Sequence, residues 1–367
     1  MKILVTGSSG FIGKNLLQNL YLNDMNEVTT FESSEDINLL SIKIKDIDFV
    51  IHLAGVNRTH NKEDFNLINY NLTKTLFNQL KKINKKIPFI FVSSIHSGLK
   101  TEYGISKKNA ELFLEQNASK KNPVKIYQLQ NVFGKWCKPN YNSVVATFCY
   151  NTANKLPIKI ENDNKELTLI YIDDVVEDIS NSIKKDFKIY EIVSILPEYK
   201  ITIRDLAKKI TSFAEVSNNL NVDEVGEGFL RAIYSTYLSY LPIDKFTYNI
   251  PLYEDERGKF AEILKTPKSG QVSFFTCKPG MTRGKHYHNT KSEKFLVIKG
   301  EAKFVLKNIQ TSESVIINSN DSENKIVQTI PGWYHEISNV GNQDLYVILW
   351  ANEIYDKEKP DTFNRNL

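Results

Sequence analysis

A tyrosine and a lysine, Tyr103 and Lys107, stand four residues apart in a segment with helical periodicity. Positions i and i+4 share one face of a helix, so these side chains would be neighbours. Lys107 would lower the pKa of Tyr103 and hold a nicotinamide ribose, while Tyr103 transfers a proton. Ser94, or alternatively Ser93, closes an apolar run upstream and would orient a carbonyl group. This set predicts nicotinamide-dependent chemistry at a carbonyl carbon.

The N-terminal apolar run leads into Gly7, Gly10 and Gly13, with Phe11 and Ile12 between the last two glycines. Glycines let the backbone approach a pyrophosphate, and the helix that follows presents its N-terminal amides to the negative charge. The same spacing also occurs in tight strand–helix turns that bind nothing. Combined with the tyrosine–lysine pair, however, the turn predicts a dinucleotide-binding site.

Glu32 ends the second predicted strand. A carboxylate at this position would accept hydrogen bonds from an adenosine ribose 2′-hydroxyl and repel a 2′-phosphate. No arginine stands nearby in the sequence to bind that phosphate. The position therefore favours NADH, although Glu32 also fits the description of a solvated turn residue.

Four residues of metal-ligand type fall close together in the C-terminal third: His286, His288, Glu293 and His335. Positions i and i+2 of a strand point to the same side, so His286 and His288 would converge. Three imidazoles and one carboxylate suit zinc, iron, manganese or nickel. Histidines also occur as ordinary surface or core residues, but half of the six in this chain belong to this group. We expect a divalent ion here, with zinc as the leading candidate.

The apolar pattern divides the chain into two parts, which we predict to be domains 1–244 and 245–367. In the first, short apolar runs alternate with helical patterns, as in a parallel sheet covered on both faces. In the second, short runs rich in valine, isoleucine and aromatic residues recur at close spacing, as in an all-β barrel. Predicted strands are 2–6, 26–31, 48–53, 88–93, 124–130 and 167–171, then 272–277, 294–298, 301–306, 313–317, 325–329, 334–338 and 345–351; predicted helices are 11–22, 61–82, 104–118, 142–154, 173–184 and 201–213.

Composition sets broad limits on partners and location. The net charge of +4 suits anionic ligands without indicating nucleic acid. No apolar run approaches the roughly 20 residues that span a bilayer, so we expect no membrane insertion. Three cysteines without CxxC spacing fit a reducing cytoplasm, where we expect the protein to act.

Residues 1–240 resemble the extended short-chain dehydrogenase/reductase family, whose members mostly act on nucleotide-linked sugars and have a Rossmann-like α/β fold. The shared segments are the glycine turn, His52–Gly55, Asn71, Ser94, Tyr103 with Lys107, Asn131–Gly134 and Tyr171–Val175. The resemblance implies that Ser94, Tyr103 and Lys107 are catalytic and that Asn71 supports them. It also implies that Leu53, Ala54 and Gly55 contact the cofactor and that Asn131 contacts the substrate.

The C-terminal part resembles the cupins, and its Arg283-Gly-Lys-His286 segment is similar to 3,5-epimerases of nucleotide-linked 4-keto-6-deoxy sugars. That resemblance implies that His286 is a catalytic base, whereas the cupin pattern makes it a metal ligand. Both roles stay open. Arg257 and Arg283 would pair with diphosphate oxygens, although they also read as solvated surface arginines.

The fused pair resembles a family of bifunctional capsular polysaccharide and O-antigen enzymes, and segments such as Pro360-Asp-Thr-Phe add to the match. The resemblance implies a UDP-linked 4-keto-6-deoxy-HexNAc substrate and NADPH as cofactor. The resemblance to cupins, which often pair through their sheets, implies a homodimer. It implies epimerisation at carbon 3 by the cupin, then reduction at carbon 4. The alternatives are a reductase of another 4-keto UDP-sugar with a structural cupin, and a non-catalytic protein that binds sugar nucleotides.

Overall fold

The computed structural model describes residues 1–22, 25–160, 162–311 and 313–364. The chain forms two compact units. The first comprises residues 1–210 and 232–241, and the second comprises residues 211–231 and those from 242 onwards. The boundary at 244/245 stays a prediction.

A six-stranded parallel sheet in the order β2-β1-β3-β4-β5-β8 is the centre of the first unit, and β6, β7 and β9 form a smaller sheet. Strands β3 and β4 are buried along their whole length, as expected where helices cover both faces. The strands are β1 Lys2–Thr6, β2 Glu27–Phe31, β3 Phe49–His52, β4 Phe89–Ser94, β5 Val124–Leu129, β6 Asn131–Phe133, β7 Glu166–Tyr171, β8 Tyr190–Val193 and β9 Tyr199–Thr202.

Nine α-helices are described, together with a π-helical segment, Phe65–Asn71, that leads directly into α3. Among the described residues, none of the helices has both the length and the apolar character that a membrane span requires. The helices are α1 Phe11–Tyr21, α2 Asn38–Lys43, α3 Leu72–Lys82, α4 Glu102–Asn117, α5 Val144–Ala153, α6 Ile172–Ser182, α7 Ile203–Ala214, α8 Val216–Asn219 and α9 Gly228–Leu238, and a 3-10 turn follows at Ile243–Lys245.

Three predicted helices begin later than their apolar patterns indicated, and one of them, predicted from residue 142, starts at Val144. The helix predicted from residue 61 starts as the π-helical segment at Phe65. The helix predicted from residue 201 starts at Ile203, because Tyr199–Thr202 pairs with β7 as an antiparallel strand. The short elements α2, β6 and β8 were not predicted, since three to six residues carry too little periodicity.

The second unit consists of two antiparallel sheets, in the orders β10-β11-β12-β19-β14-β17 and β16-β15-β18-β13-β20. Their inner faces share one apolar core that includes Phe275, Phe295 and Phe304. This arrangement confirms the predicted fold class, a Rossmann-like α/β domain followed by a cupin-like β domain. The strands are β10 Tyr253–Asp255, β11 Gly258–Thr266, β12 Gly270–Cys277, β13 Thr282–Tyr287, β14 Glu293–Lys299, β15 Glu301–Asn308, β16 Ser314–Asn320, β17 Ile326–Gln328, β18 Trp333–Asn339, β19 Leu345–Ala351 and β20 Phe363–Asn364.

Candidate active site and metal centre

The glycine turn lies where the strand order of the large sheet reverses, between β1 and β3. Open α/β sheets bind ligands in the crevice outside the carboxyl ends of strands at such a point. Gly7 has a φ of +70°, and a Cβ there would lie 2.7 Å from the Ala54 backbone. A Cβ on Gly13 would lie 2.4 Å from the Gly7 carbonyl oxygen. Only glycine fits at these two positions, and the turn can therefore approach a pyrophosphate closely.

A cavity of about 830 Å³ opens above this turn. This volume lies within the range of ordinary ligand pockets, roughly 300–1,000 Å³. The predicted residues that line it are Gly7, Gly10, Phe11, Ile12, Gly13, Leu53, Gly55, Ser94, Tyr103, Lys107 and Asn131. Sequence reasoning did not select Lys14, His96, Trp136, Lys138 or Tyr141, which line it as well.

Glu32 bonds to the glycine turn itself. Its carboxylate accepts hydrogen bonds from the Ser8 hydroxyl, from the Ser9 hydroxyl at 2.6 Å and from the Ser9 amide at 3.1 Å. The acid is therefore fixed at the carboxyl end of β2, beside the pyrophosphate turn. A 2′-phosphate at this place would meet a negative charge.

Ser94, Tyr103 and Lys107 come together at the carboxyl end of β4. Ser94 interacts with the Tyr103 hydroxyl in the direction that lowers the pKa of the tyrosine. The buried Lys107 Nζ donates to the Val92 carbonyl at 3.0 Å and lies 4.8 Å from the centre of the Phe91 ring. Burial lowers the pKa of Lys107 to about 8, against the opposing effect of Glu111. The lysine is still mostly protonated at neutral pH.

The pKa of Tyr103 differs from the sequence-based expectation. Burial raises it above its ordinary value, and the interaction with Ser94 offsets only part of that effect. We had expected Lys107 to lower this pKa. A tyrosine with a raised pKa keeps its proton at neutral pH, which is the form that can donate to a carbonyl oxygen.

The asparagine beside the lysine is Asn69, and sequence reasoning had named Asn71. Asn69 is fully buried, and its amide nitrogen donates to Val56 O at 2.9 Å and to Ser106 Oγ at 3.0 Å. A Cβ built on Gly55 would lie 2.9 Å from Asn69 Oδ1 and 3.1 Å from Lys107 Nζ. Both asparagines belong to the π-helical segment, which packs against α4. We therefore propose the supporting role for Asn69 in place of Asn71.

Ser93 points away from Tyr103. Its hydroxyl donates to the buried carboxylate of Glu111 at 2.6 Å, which also accepts from Gln128 at 3.0 Å. Successive strand residues face opposite sides of a sheet, so only one of the two serines can face the tyrosine. That residue is Ser94.

The second unit brings the four predicted metal ligands together. One ligand atom from each of His286, His288, Glu293 and His335 lies within 4.8 Å of the other three. Glu293 Oε2 is 3.2 Å from Nε2 of both His288 and His335. His286 and His335 face each other across β13 and β18, and Glu293 reaches them from β14 in the other sheet.

The donor set fits a metal ion. Donors bound at about 2.0–2.2 Å in a tetrahedron lie roughly 3.3–3.6 Å apart. The two observed oxygen–nitrogen separations are 3.2 Å, and all four ligand atoms lie within 4.8 Å of one another. Burial, and then the charges of His335 and His288, lower the pKa of His286 to about 4. Although burial opposes it, hydrogen bonding by both histidines holds the pKa of Glu293 well below its usual range. At neutral pH the site therefore offers a neutral imidazole and a carboxylate, the protonation states that bind metals.

The two arginines differ in position. Arg283 lines the cavity of about 250 Å³ that contains the metal ligands. Its Nε donates to Thr276 O at 2.9 Å, and its guanidinium lies 5.6 Å from the Phe275 ring centre. Arg257 is about half exposed and pairs with Asp255, whose carboxylate also lies 3.5 Å from the Arg283 guanidinium. Arg283 is thus the better placed of the two to meet an anionic ligand in this cavity.

Comparison with known proteins agrees with this two-part architecture. Residues 3–195 match the NAD dependent epimerase/dehydratase family, and residues 253–363 match the polysaccharide biosynthesis C-terminal domain. Among solved structures, UDP-glucuronic acid 4-epimerase from Bacillus cereus is similar over 65% of this chain and 96% of its own, with 20% identity and a TM-score of 0.56. That likeness concerns the fold of the first unit.

Two relatives match essentially the whole chain. The UDP-2-acetamido-2,6-beta-L-arabino-hexul-4-ose reductase of Pseudomonas aeruginosa is 46% identical, over 99% of this chain and 98% of its own. The crystal structure of the capsular polysaccharide assembling protein CapF from Staphylococcus aureus is 34% identical, covers 100% of both chains and has a TM-score of 0.90. The chain therefore belongs to the NAD-dependent epimerase/dehydratase family, in the group with a polysaccharide biosynthesis C-terminal domain that includes these two proteins.

Proposed function

We propose that this protein reduces the 4-keto group of a UDP-linked 2-acetamido-2,6-dideoxy sugar with a nicotinamide cofactor. The observation that carries the proposal is the convergence of Ser94, Tyr103 and Lys107 on the cavity that holds the glycine turn. The name of the P. aeruginosa relative, which is nearly half identical along the whole chain, supports this substrate class.

The residues have separate roles in this reaction. The bound nicotinamide supplies hydride to carbon 4. Ser94 donates a hydrogen bond to the ketone oxygen and orients it, and Tyr103 gives that oxygen its proton. Lys107 is fixed by the Val92 carbonyl and places a positive charge beside the tyrosine as negative charge develops on the oxygen.

Two features of the chain favour different cofactors. The resemblance to capsular polysaccharide enzymes favours NADPH, whereas Glu32 on the glycine turn disfavours a 2′-phosphate. Measuring the rate with NADPH and with NADH shows how far Glu32 sets the choice.

For the second unit we propose epimerisation at carbon 3, before reduction. A 4-keto group acidifies the proton on carbon 3, and the metal ligands, with Arg283, suit the binding of an enolate. A divalent ion, with zinc as the first candidate, would be held by His286, His288, Glu293 and His335. The substrate would be UDP-2-acetamido-2,6-dideoxy-β-L-arabino-hexos-4-ulose and the product its L-talose isomer, on the route to UDP-N-acetyl-L-fucosamine for capsule or O-antigen.

Purified protein is expected to oxidise NADPH or NADH only when a 4-keto UDP-sugar is added. Absorbance at the reduced-nicotinamide band measures the rate, and NMR of the product gives the configuration at carbons 3 and 4. A UDP-sugar that already has a 4-hydroxyl group is the matched control. Equal oxidation with both sugars, or with neither, would rule out the proposed reduction.

Purified protein is also expected to contain about one divalent metal ion per chain. Removing the ion should lower the melting temperature of the second unit, because the ion binds only the folded ligand set. Elemental analysis of protein prepared without chelators gives the metal content, and calorimetry gives the shift. Metal-free protein with an unchanged melting temperature on zinc addition would contradict the assignment.

A further inference from the structure

The last described segment of the chain, Asp361–Asn364, packs against the metal ligands. The Asp361 carboxylate accepts hydrogen bonds from three consecutive amides, residues 289–291, at 2.7–3.1 Å, and from the Thr290 hydroxyl at 3.0 Å. Strand β20 then pairs with β13, with Asn364 opposite His286. One aspartate thus joins the C-terminal segment to the loop that separates two ligands.

The same residue contacts a ligand through its backbone. His288 Nδ1 is hydrogen-bonded to the Asp361 carbonyl oxygen, while Nε2 of the same ring is 3.2 Å from Glu293 Oε2. A carbonyl oxygen only accepts, so Nδ1 carries a proton, and in the neutral ring the lone pair is then on Nε2, the nitrogen that faces the other ligands. By contrast, His335 Nδ1 is buried and has no hydrogen-bond partner among the described residues. The contact from Asp361 is therefore specific to His288.

We propose that Asp361 is a positioning residue for the metal centre. Its carboxylate holds the 289–291 loop in place, and its backbone carbonyl oxygen then fixes the ring of His288 with Nε2 towards the ion. This inference rests on the metal site proposed above. Metal-bound histidines usually donate their other ring nitrogen to such a partner, and removing the partner typically weakens metal binding about 10–100-fold. The effect of the carboxylate is indirect, since it binds the loop and does not bind the ion.

Zinc titration of the full-length, metal-stripped protein against a chromophoric chelator tests the proposal. Asp361→Ala should weaken zinc binding about 10–100-fold. Asp361→Asn keeps one acceptor oxygen for the amides and should recover part of the affinity. The control is Asp356→Ala, which removes a carboxylate five residues before Asp361. Among the contacts described, that carboxylate accepts a hydrogen bond only from the Glu358 amide. It should bind zinc like the wild type.

Melting temperatures with and without zinc separate positioning from general stabilisation. Positioning predicts that Asp361→Ala reduces the zinc-induced rise in melting temperature. A merely structural role predicts equal losses in the zinc-free and zinc-loaded states, with wild-type affinity, and that result would overturn the proposal. If Asp361→Ala does not fold, Asp361→Asn is tested in its place, and wild-type zinc affinity in that variant would also overturn the proposal. A wild-type protein that binds no zinc would instead refute the metal site itself, and the inference with it.

Discussion

Replacing Tyr103 with phenylalanine is expected to slow reduction of the 4-keto sugar about 10²–10⁴-fold, the usual cost of losing one general acid. The substitution removes only the tyrosine hydroxyl group. The ring remains, and with it the edge contact to Phe65, whose centre lies 6.1 Å away. The fold should therefore be unchanged. Single-turnover measurement of nicotinamide oxidation with the 4-keto UDP-sugar gives the rate of the chemical step.

Tyr70→Phe is the matched control. Tyr70 is also partly buried, and its ring makes an edge contact with Phe113 at 6.4 Å, outside the dinucleotide cavity. This variant should reduce the ketone at the wild-type rate, and both variants should melt at the wild-type temperature. Reduction by Tyr103→Phe within a few-fold of the wild type would remove the tyrosine from its assigned role.

The dinucleotide site could be predicted because its signals are local. The glycine turn immediately follows β1, and Tyr103 and Lys107 lie one turn apart on a single helix. The supporting role of Asn71 was implied by the family resemblance. Our proposal of Asn69 for that role depends on its contacts around Gly55, which the sequence does not reveal.

The metal ligands could be predicted because histidines are few in this chain and are clustered. Their final geometry depends on features that the spacing does not reveal. The register of β13 shifts between Gly284 and His286, and Lys285 within that irregularity has a φ of +67°. The contact between His288 and Asp361 joins residues 73 positions apart. Such a contact arises when the C-terminal strand β20 pairs with β13, and no local sequence pattern indicates it.

Carbon-3 proton exchange is expected to separate the two proposed activities in the full-length protein. With a 4-keto UDP-sugar in deuterated water and no nicotinamide, Tyr103→Phe should exchange this proton at the wild-type rate, because enolisation requires only a base and stabilisation of the enolate charge. Glu293→Gln should lower the exchange rate at least about 10²-fold, because it removes the anionic donor of the metal site. NMR of the sugar after fixed times measures deuterium at carbon 3.

Glu336→Gln provides the control for this last experiment, since Glu336 lies on β18 next to His335 and accepts a hydrogen bond from the Tyr334 hydroxyl at 2.8 Å. Like Glu293→Gln, it replaces a carboxylate with an amide. Because adjacent strand residues face opposite sides of the sheet, Glu336 faces away from the metal ligands, and exchange should persist. Exchange that disappears in Tyr103→Phe would place enolisation in the reductase site. Exchange that survives in Glu293→Gln would show that it does not need this carboxylate. The first outcome would leave the second unit with a structural role, and the second would remove Glu293 from the proposed epimerase site.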